Sequence, residues 1–172
     1  MITLSGLPNF YDYMNAHYGE GWVLLGGAAA WAYIAQADRE MSEGVAVYKK
    51  IFPKDIDVLI KGESLEPVEV EVGSFGMLEV EFVKEYDESM AAGKCAGAKV
   101  VNGARVLTIE QIIFKYSATS DKAAERQTRC ELLKKIRAGE KISPREMDEF
   151  YETSKVKPKD NPFLAAIKAR KK

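Results

Sequence analysis

The sequence predicts an α+β fold, in which a mixed sheet flanked by helices is followed by a helical C-terminal half. Three observations carry that reading. Short β-rich runs bounded by turn residues crowd the segment from about 20 to 107. Helical periodicity with start and stop signals takes over from about 108 to 153. The composition, 47% hydrophobic and 30% charged over 172 residues, is that of one ordinary globular domain. Residues 154–172 read as a basic C-terminal tail on a single domain of 1–153.

The bulk numbers exclude several classes. With 25 Lys and Arg against 26 Asp and Glu, net charge offers no general attraction to nucleic acid. Cys95 and Cys130 stand far apart, in neither a disulfide framework nor a zinc spacing, and read as reduced thiols. The N-terminus lacks a basic segment followed by an apolar one, so no signal peptide is expected. The longest apolar stretch, Trp22 to Ala35, is too short to span a bilayer and is broken by Gly26-Gly27. A cytoplasmic protein without a membrane partner is expected.

Along the chain, Leu7, Phe10, Tyr11, Met14 and Tyr18 recur at helical spacing, and Gly19 and Gly21 end that helix. Trp22–Leu25 reads as a buried strand. Gly26-Gly27 breaks it, and Ala28–Ala37 is rich in strong helix formers. The polar stretch from Asp38 to Lys54 yields only Val45–Tyr48, as a short strand or part of a loop. Asp55–Ile60 is a β-rich run. Val68–Val72 and Met77–Val83 alternate apolar with acidic residues around Gly73-Ser74-Phe75-Gly76, the pattern of a hairpin. Tyr86–Lys94 reads as a short helix or a loop.

Asn102-Gly103 between Val100-Val101 and Val106-Leu107 predicts a second small hairpin. Thr108 and Gln111 form a capping box for a helix with Ile109, Ile112, Ile113 and Tyr116 on one face. After an interruption at Ser117–Ser120, another helix runs to about Arg137, with Leu132, Leu133 and Ile136 apolar and Gly139 as C′ residue. Ser143-Pro144-Arg145-Glu146 opens a last helix through Tyr151.

Asp55 and Asp57 are the first residues that call for chemistry. Two apart on a strand, they face the same side. Two carboxylates on one face repel, and their burial is costly unless a cation joins them. Mg²⁺ is the common answer, a hard ion that takes oxygen ligands and leaves room for substrate phosphates. The flanking Ile56, Val58, Leu59 and Ile60 argue for a central strand. By itself Asp-x-Asp is also what an exposed strand end would show.

Gly26-Gly27 supplies the complementary half. Without side chains, that backbone can approach a ligand closely. The free N–H groups of the helix that follows would face an anion, aided by the helix dipole. A Gly-Gly turn upstream of an Asp-x-Asp strand is more specific than either motif alone.

WVLLGGAAAWAYIA followed by KDIDVLI resembles the Gly-Gly helix start and Asp-x-Asp strand of the nucleotidyltransferase (polymerase-beta-like) superfamily. That superfamily includes antibiotic nucleotidyltransferases and nucleotidyltransferase-type toxins of toxin–antitoxin systems. GARVLTIEQIIFKYSA is similar to the family stretch that ends in a helix with an internal Lys, where Glu110 and Lys115 take the matching positions. The resemblance spans Trp22 to Leu133 in patches.

The resemblance implies two Mg²⁺ ions held by three carboxylates, an NTP substrate, and nucleotidyl transfer to an acceptor hydroxyl of a small molecule, an RNA or a protein. Asp55 and Asp57 would be catalytic and metal-binding. Glu81 or Glu79 would be the third carboxylate, Glu81 being favoured, although both also fit the solvated face of a hairpin. Gly26, Gly27, Lys54 and Lys115 would bind the nucleotide. Arg126-Gln127-Thr128-Arg129 stands where family toxins carry an Arg-x-Lys-Asp motif. The missing Asp keeps open an alternative, a catalytically degenerate binding protein of the same fold. His17 and the aromatic residues Tyr11, Trp22, Trp31 and Tyr33 read as structural.

Overall fold

A computed structural model describes residues 1–41, 55–63, 66–72, 76–85, 87–117 and 123–147, with the backbone alone for 38–41 and 123–125. The chain begins in a strand. Ile2 and Leu4 turn inward and Thr3 and Ser5 outward in β1 (Ile2–Ser5). Gly6, at φ 82°, leads into α1 (Leu7–Tyr18), whose Leu7, Phe10, Tyr11 and Met14 are buried. Gly19, at φ 56°, ends the helix by donating its N–H to the Asn15 carbonyl. Phe10 meets Trp22 edge-on and Tyr11 stacks on it, so α1 is fixed to the strand that follows. Burying a side chain such as Phe10 contributes about 2–3 kcal/mol.

β2 (Trp22–Leu24) runs straight into α2 (Gly26–Met41), which therefore starts at the glycines and not at Ala28. β3 (Ile56–Ile60), β4 (Val68–Glu71), β5 (Met77–Val83), α3 (Glu88–Ala96), β6 (Lys99–Val101), β7 (Ala104–Val106), α4 (Ile109–Ser117) and α5 (Ala123–Arg137) complete the described elements, together with a helical turn over 144–147. The strands form one mixed sheet in the order β1-β4-β5-β3-β2-β7-β6. β3 is its central strand, as the apolar flanks of Asp57 predicted. β4 and β5 pair antiparallel, and so do β6 and β7, so both expected hairpins are present.

Cap chemistry explains the helix boundaries. Thr108 Oγ1 accepts from the Gln111 amide N–H, and Gln111 Oε1 accepts from that of Thr108, a reciprocal box at the start of α4. Ser143 and Glu146 make the same exchange before the turn at 144–147. Gly139, at φ 72°, donates to Ile136 while Glu140 donates to Lys135, a Schellman closure of α5. Asp87 caps α3 by accepting from the Ser89 and Met90 amides. The segment Tyr86–Lys94, open as helix or loop, is thus helical from Glu88.

In its coarse form the expected class holds: a mixed sheet with helices packed on it. The sheet does not start near residue 20, however, because β1 pairs parallel with β4 from Ile2 onward. A four-residue edge strand before a helix carries too short a period to stand out. Val45–Tyr48, the tip of the first hairpin at 73–75, the last helix beyond Met147 and the tail 154–172 lie outside the described residues. No helix among the described residues is long and apolar enough to cross a membrane.

Candidate functional site

The ends of β2 and β3 meet where the chain enters α2. The Leu25 amide donates to the Asp57 carbonyl at 2.9 Å, which aligns the glycine turn with the Asp-x-Asp segment. Gly26 sits at φ 52°, in the left-handed region that glycine occupies without penalty. A Cβ built there would lie 3.6 Å from Asp57 Oδ2, so backbone and carboxylate are neighbours. Ala29 makes the first bond of the helical ladder, to the Leu25 carbonyl at 3.1 Å. The amides of the first turn have no partner within the helix by its geometry and carry its positive end.

Asp57 is half-buried on β3, and Asp55 is exposed just before the strand. Parallel pairing of β3 with β5 sets Asp57 directly opposite Glu81. Glu81 and Glu79 share the face of β5 away from Phe82, which turns to α1 and meets Tyr18 at a ring separation of 6.3 Å. Glu79 stands opposite Glu69 of β4. The sheet register therefore sets Glu81 directly opposite Asp57 and Glu79 opposite Glu69. Sequence alone left that choice nearly even.

Electrostatics mark the same group. Burial, then the negative charges of Asp55 and Glu81, push the Asp57 carboxyl above the ordinary carboxylate range. The Lys115 ammonium, brought from the exposed side of α4, pulls it back down. Three groups, Asp55 just before β3, Glu81 of β5 and Lys115 of α4, thus act on Asp57. Glu110 acts elsewhere, pairing with Arg137 at 4.0 Å. Arg126 lies over the Tyr116 ring at 5.6 Å. Lys54 lies outside the described residues.

Oxygen donors of like charge on one sheet face are the donor set that a hard divalent cation neutralises. Among the described residues no three His, Cys, Asp or Glu side chains are gathered closely enough to hold a metal by themselves. Mg²⁺ suits such a set, because it commonly binds one or two carboxylates and completes its shell with water and substrate phosphate. The carboxylates of Asp55, Asp57 and Glu81 are oxygen donors of the kind such an ion takes.

The aromatic residues read as structural are so placed. Tyr11, Trp22, Trp31 and Tyr33 are all buried, and His17 bonds the Tyr13 carbonyl at 2.9 Å on an exposed face. Sequence reasoning missed the tie between Tyr33 and Leu107, a hydrogen bond of 2.7 Å between residues 74 apart, for which no local signal exists. Neither the protein-family models nor the curated proteins compared with this chain give a match, so its function is read from the site.

Proposed function

We propose that this chain is a Mg²⁺-dependent nucleotidyltransferase, moving a nucleotidyl group from an NTP to an acceptor hydroxyl. One observation carries the reading: Asp57, on the central strand, lies against the Gly26 backbone on one side and opposite Glu81 on the other. A phosphate-sized anion at the start of α2 and a cation between carboxylates would then be adjacent, as a metal–nucleotide pair requires.

In this reading the first-turn amides of α2 and the Lys115 ammonium bind the phosphates. Asp55, Asp57 and Glu81 would hold the metal, with water and substrate phosphate completing its shell. When bound, Mg²⁺ offsets phosphate charge and favours an ionised acceptor oxygen. Glu81, exposed beside Asp57, accepts the hydroxyl proton. The acceptor oxygen then bonds to the α-phosphorus as the bond to pyrophosphate breaks in line. A cytoplasmic setting belongs to the same proposal and agrees with two free cysteines. The acceptor is a small molecule, an RNA or a protein.

Calorimetric titration of ATP, with and without Mg²⁺, into wild type and Asp55→Asn/Asp57→Asn tests this, with thermal melts to verify folding. The expected result is Mg²⁺-dependent binding that the double substitution abolishes. Binding without turnover over a panel of acceptor hydroxyls would favour the degenerate alternative, a regulatory or toxin–antitoxin component. No binding by folded wild type would overturn the proposal.

A further inference from the structure

Two helices carry the nucleotide-facing groups, and their relative placement has to be set by something. α2 begins at Gly26-Gly27, and α4 carries Lys115. They pack on each other and on α5 through apolar side chains, among them Ile109, Ile112 and Tyr116 of α4. Apolar packing is non-directional, so it resists separation better than it resists a small slide or rotation. A directional bond between the two would fix what packing leaves loose.

Such a bond exists. Tyr33, buried in α2, donates its hydroxyl to the Leu107 carbonyl at 2.7 Å. Tyr33 lies seven residues after Gly26, two turns along the same stripe of the helix. Leu107 is the junction residue between β7 and α4, and its own amide donates to the Leu24 carbonyl at 3.3 Å, two residues before Gly26. The next residue, Thr108, is the cap of α4, and Lys115 follows two turns later. The start of the Lys115 helix is therefore tied at one residue both to the strand entering the glycine turn and to the helix leaving it.

We propose that Tyr33 is a positioning residue, whose hydroxyl, through the Leu107 carbonyl, sets where Lys115 stands relative to phosphates on the Gly26-Gly27 turn. The inference rests on the nucleotide reading of the site. The hydroxyl is suited to the task because it remains a donor through neutral pH: burial, then the Glu110 charge, push its pKa up to about 12. Phenylalanine would keep the ring in its pocket and remove this bond alone.

The test is a double-substitution cycle on the full chain. The Kd for ATP with Mg²⁺ is measured for wild type, Tyr33→Phe, Lys115→Ala and the pair, with thermal melts alongside. Tyr33→Phe is expected to weaken binding roughly tenfold in the wild-type background. With Lys115 already removed, the same change is expected to cost less than about twofold, because its route of action is gone. A general loosening of the fold would instead cost the same factor in both backgrounds, which overturns the proposal. So does an unchanged Kd in Tyr33→Phe, or a Tyr33→Phe chain that does not fold, which assigns the hydroxyl to stability alone. Absence of nucleotide binding by folded wild type overturns the nucleotidyltransferase reading and this inference with it.

Discussion

A Cβ added to Gly26 would stand 3.6 Å from Oδ2 of Asp57, although the two residues belong to different elements separated by 31 positions in the chain. The distance is ordinary van der Waals contact, so a methyl group would fit sterically while occupying space beside the carboxylate. The backbone at Gly26 is the harder constraint, because φ 52° penalises every side chain.

Gly26→Ala is accordingly expected to cost about 1–2 kcal/mol of stability, from the left-handed backbone. Its ATP affinity in Mg²⁺ should fall further than that loss accounts for, by roughly tenfold or more, since the methyl covers the approach to the carboxylate. Denaturant unfolding and calorimetry on the same preparation separate the two effects. Unchanged affinity would remove the glycine turn from the site.

Asp57 has a signed pH consequence. Its folded-state pKa lies above the ordinary 3.8, for reasons of burial first and the Asp55 and Glu81 charges next. A raised carboxyl favours the fold most below its unfolded value, and that contribution is lost as pH rises through the raised one. Asp57→Asn should therefore melt higher than wild type at neutral pH without metal, and the gain should shrink towards pH 4. Added Mg²⁺ should raise the wild-type Tm and leave that of Asp57→Asn unmoved. Melts from pH 4 to 8, with Mg²⁺ and with chelator, provide the check.

Glu81→Gln and Glu79→Gln make a matched pair, two residues apart on one strand and one face. Because only Glu81 stands opposite Asp57, its loss is expected to abolish Mg²⁺-dependent ATP binding or reduce it by about a hundredfold. Glu79→Gln should stay within about twofold of wild type, since the carboxylates that act on Asp57 are Asp55 and Glu81. The reverse pattern in a calorimetric comparison would transfer the third carboxylate to Glu79.

Glu146, which accepts from Lys135 and the Ser143 amide, carries a second signed pH consequence. Its hydrogen bond from Lys135, then the Ser143 amide, hold its pKa at about 2, against an ordinary 4.5. Its contribution is complete above the ordinary value and is lost as pH falls towards 2. Wild type should therefore melt above Glu146→Gln at pH 6 and converge with it at low pH. A constant difference across that range would exclude the carboxylate charge as the cause.

Thr108→Ala removes one half of the reciprocal box at the start of α4. The expected loss is about 1 kcal/mol in chemical denaturation. If stability does not change, Gln111 alone suffices as the cap.

Local structure was legible in the sequence wherever its cause is local. The helix from Leu7 to Tyr18, the Asn102-Gly103 turn and the Thr108–Gln111 box depend on residues within a few positions of each other. Asn102 at φ 51° and Gly103 at φ 84° adopt the left-handed pair that a two-residue hairpin demands. Asp55 and Asp57 also stood out, because acidic residues in an apolar run conflict with burial; of the two, the structure keeps only Asp57 within the strand. The edge strand Ile2–Ser5 did not, since four residues pairing with a segment more than sixty positions away leave no periodic trace.

What the sequence by itself determined, then, is most of the elements, β1 excepted, and the identity of the acids and glycines. Only the tertiary structure decided which of them meet. Placing β5 parallel to β3 set Glu81 opposite Asp57, and packing α4 against α2 brought Lys115 within electrostatic reach of Asp57. The physical reason is that side-chain alternation names a face of a strand but not the neighbour across it. That neighbour follows from strand order, which is set by the burial of the whole sheet.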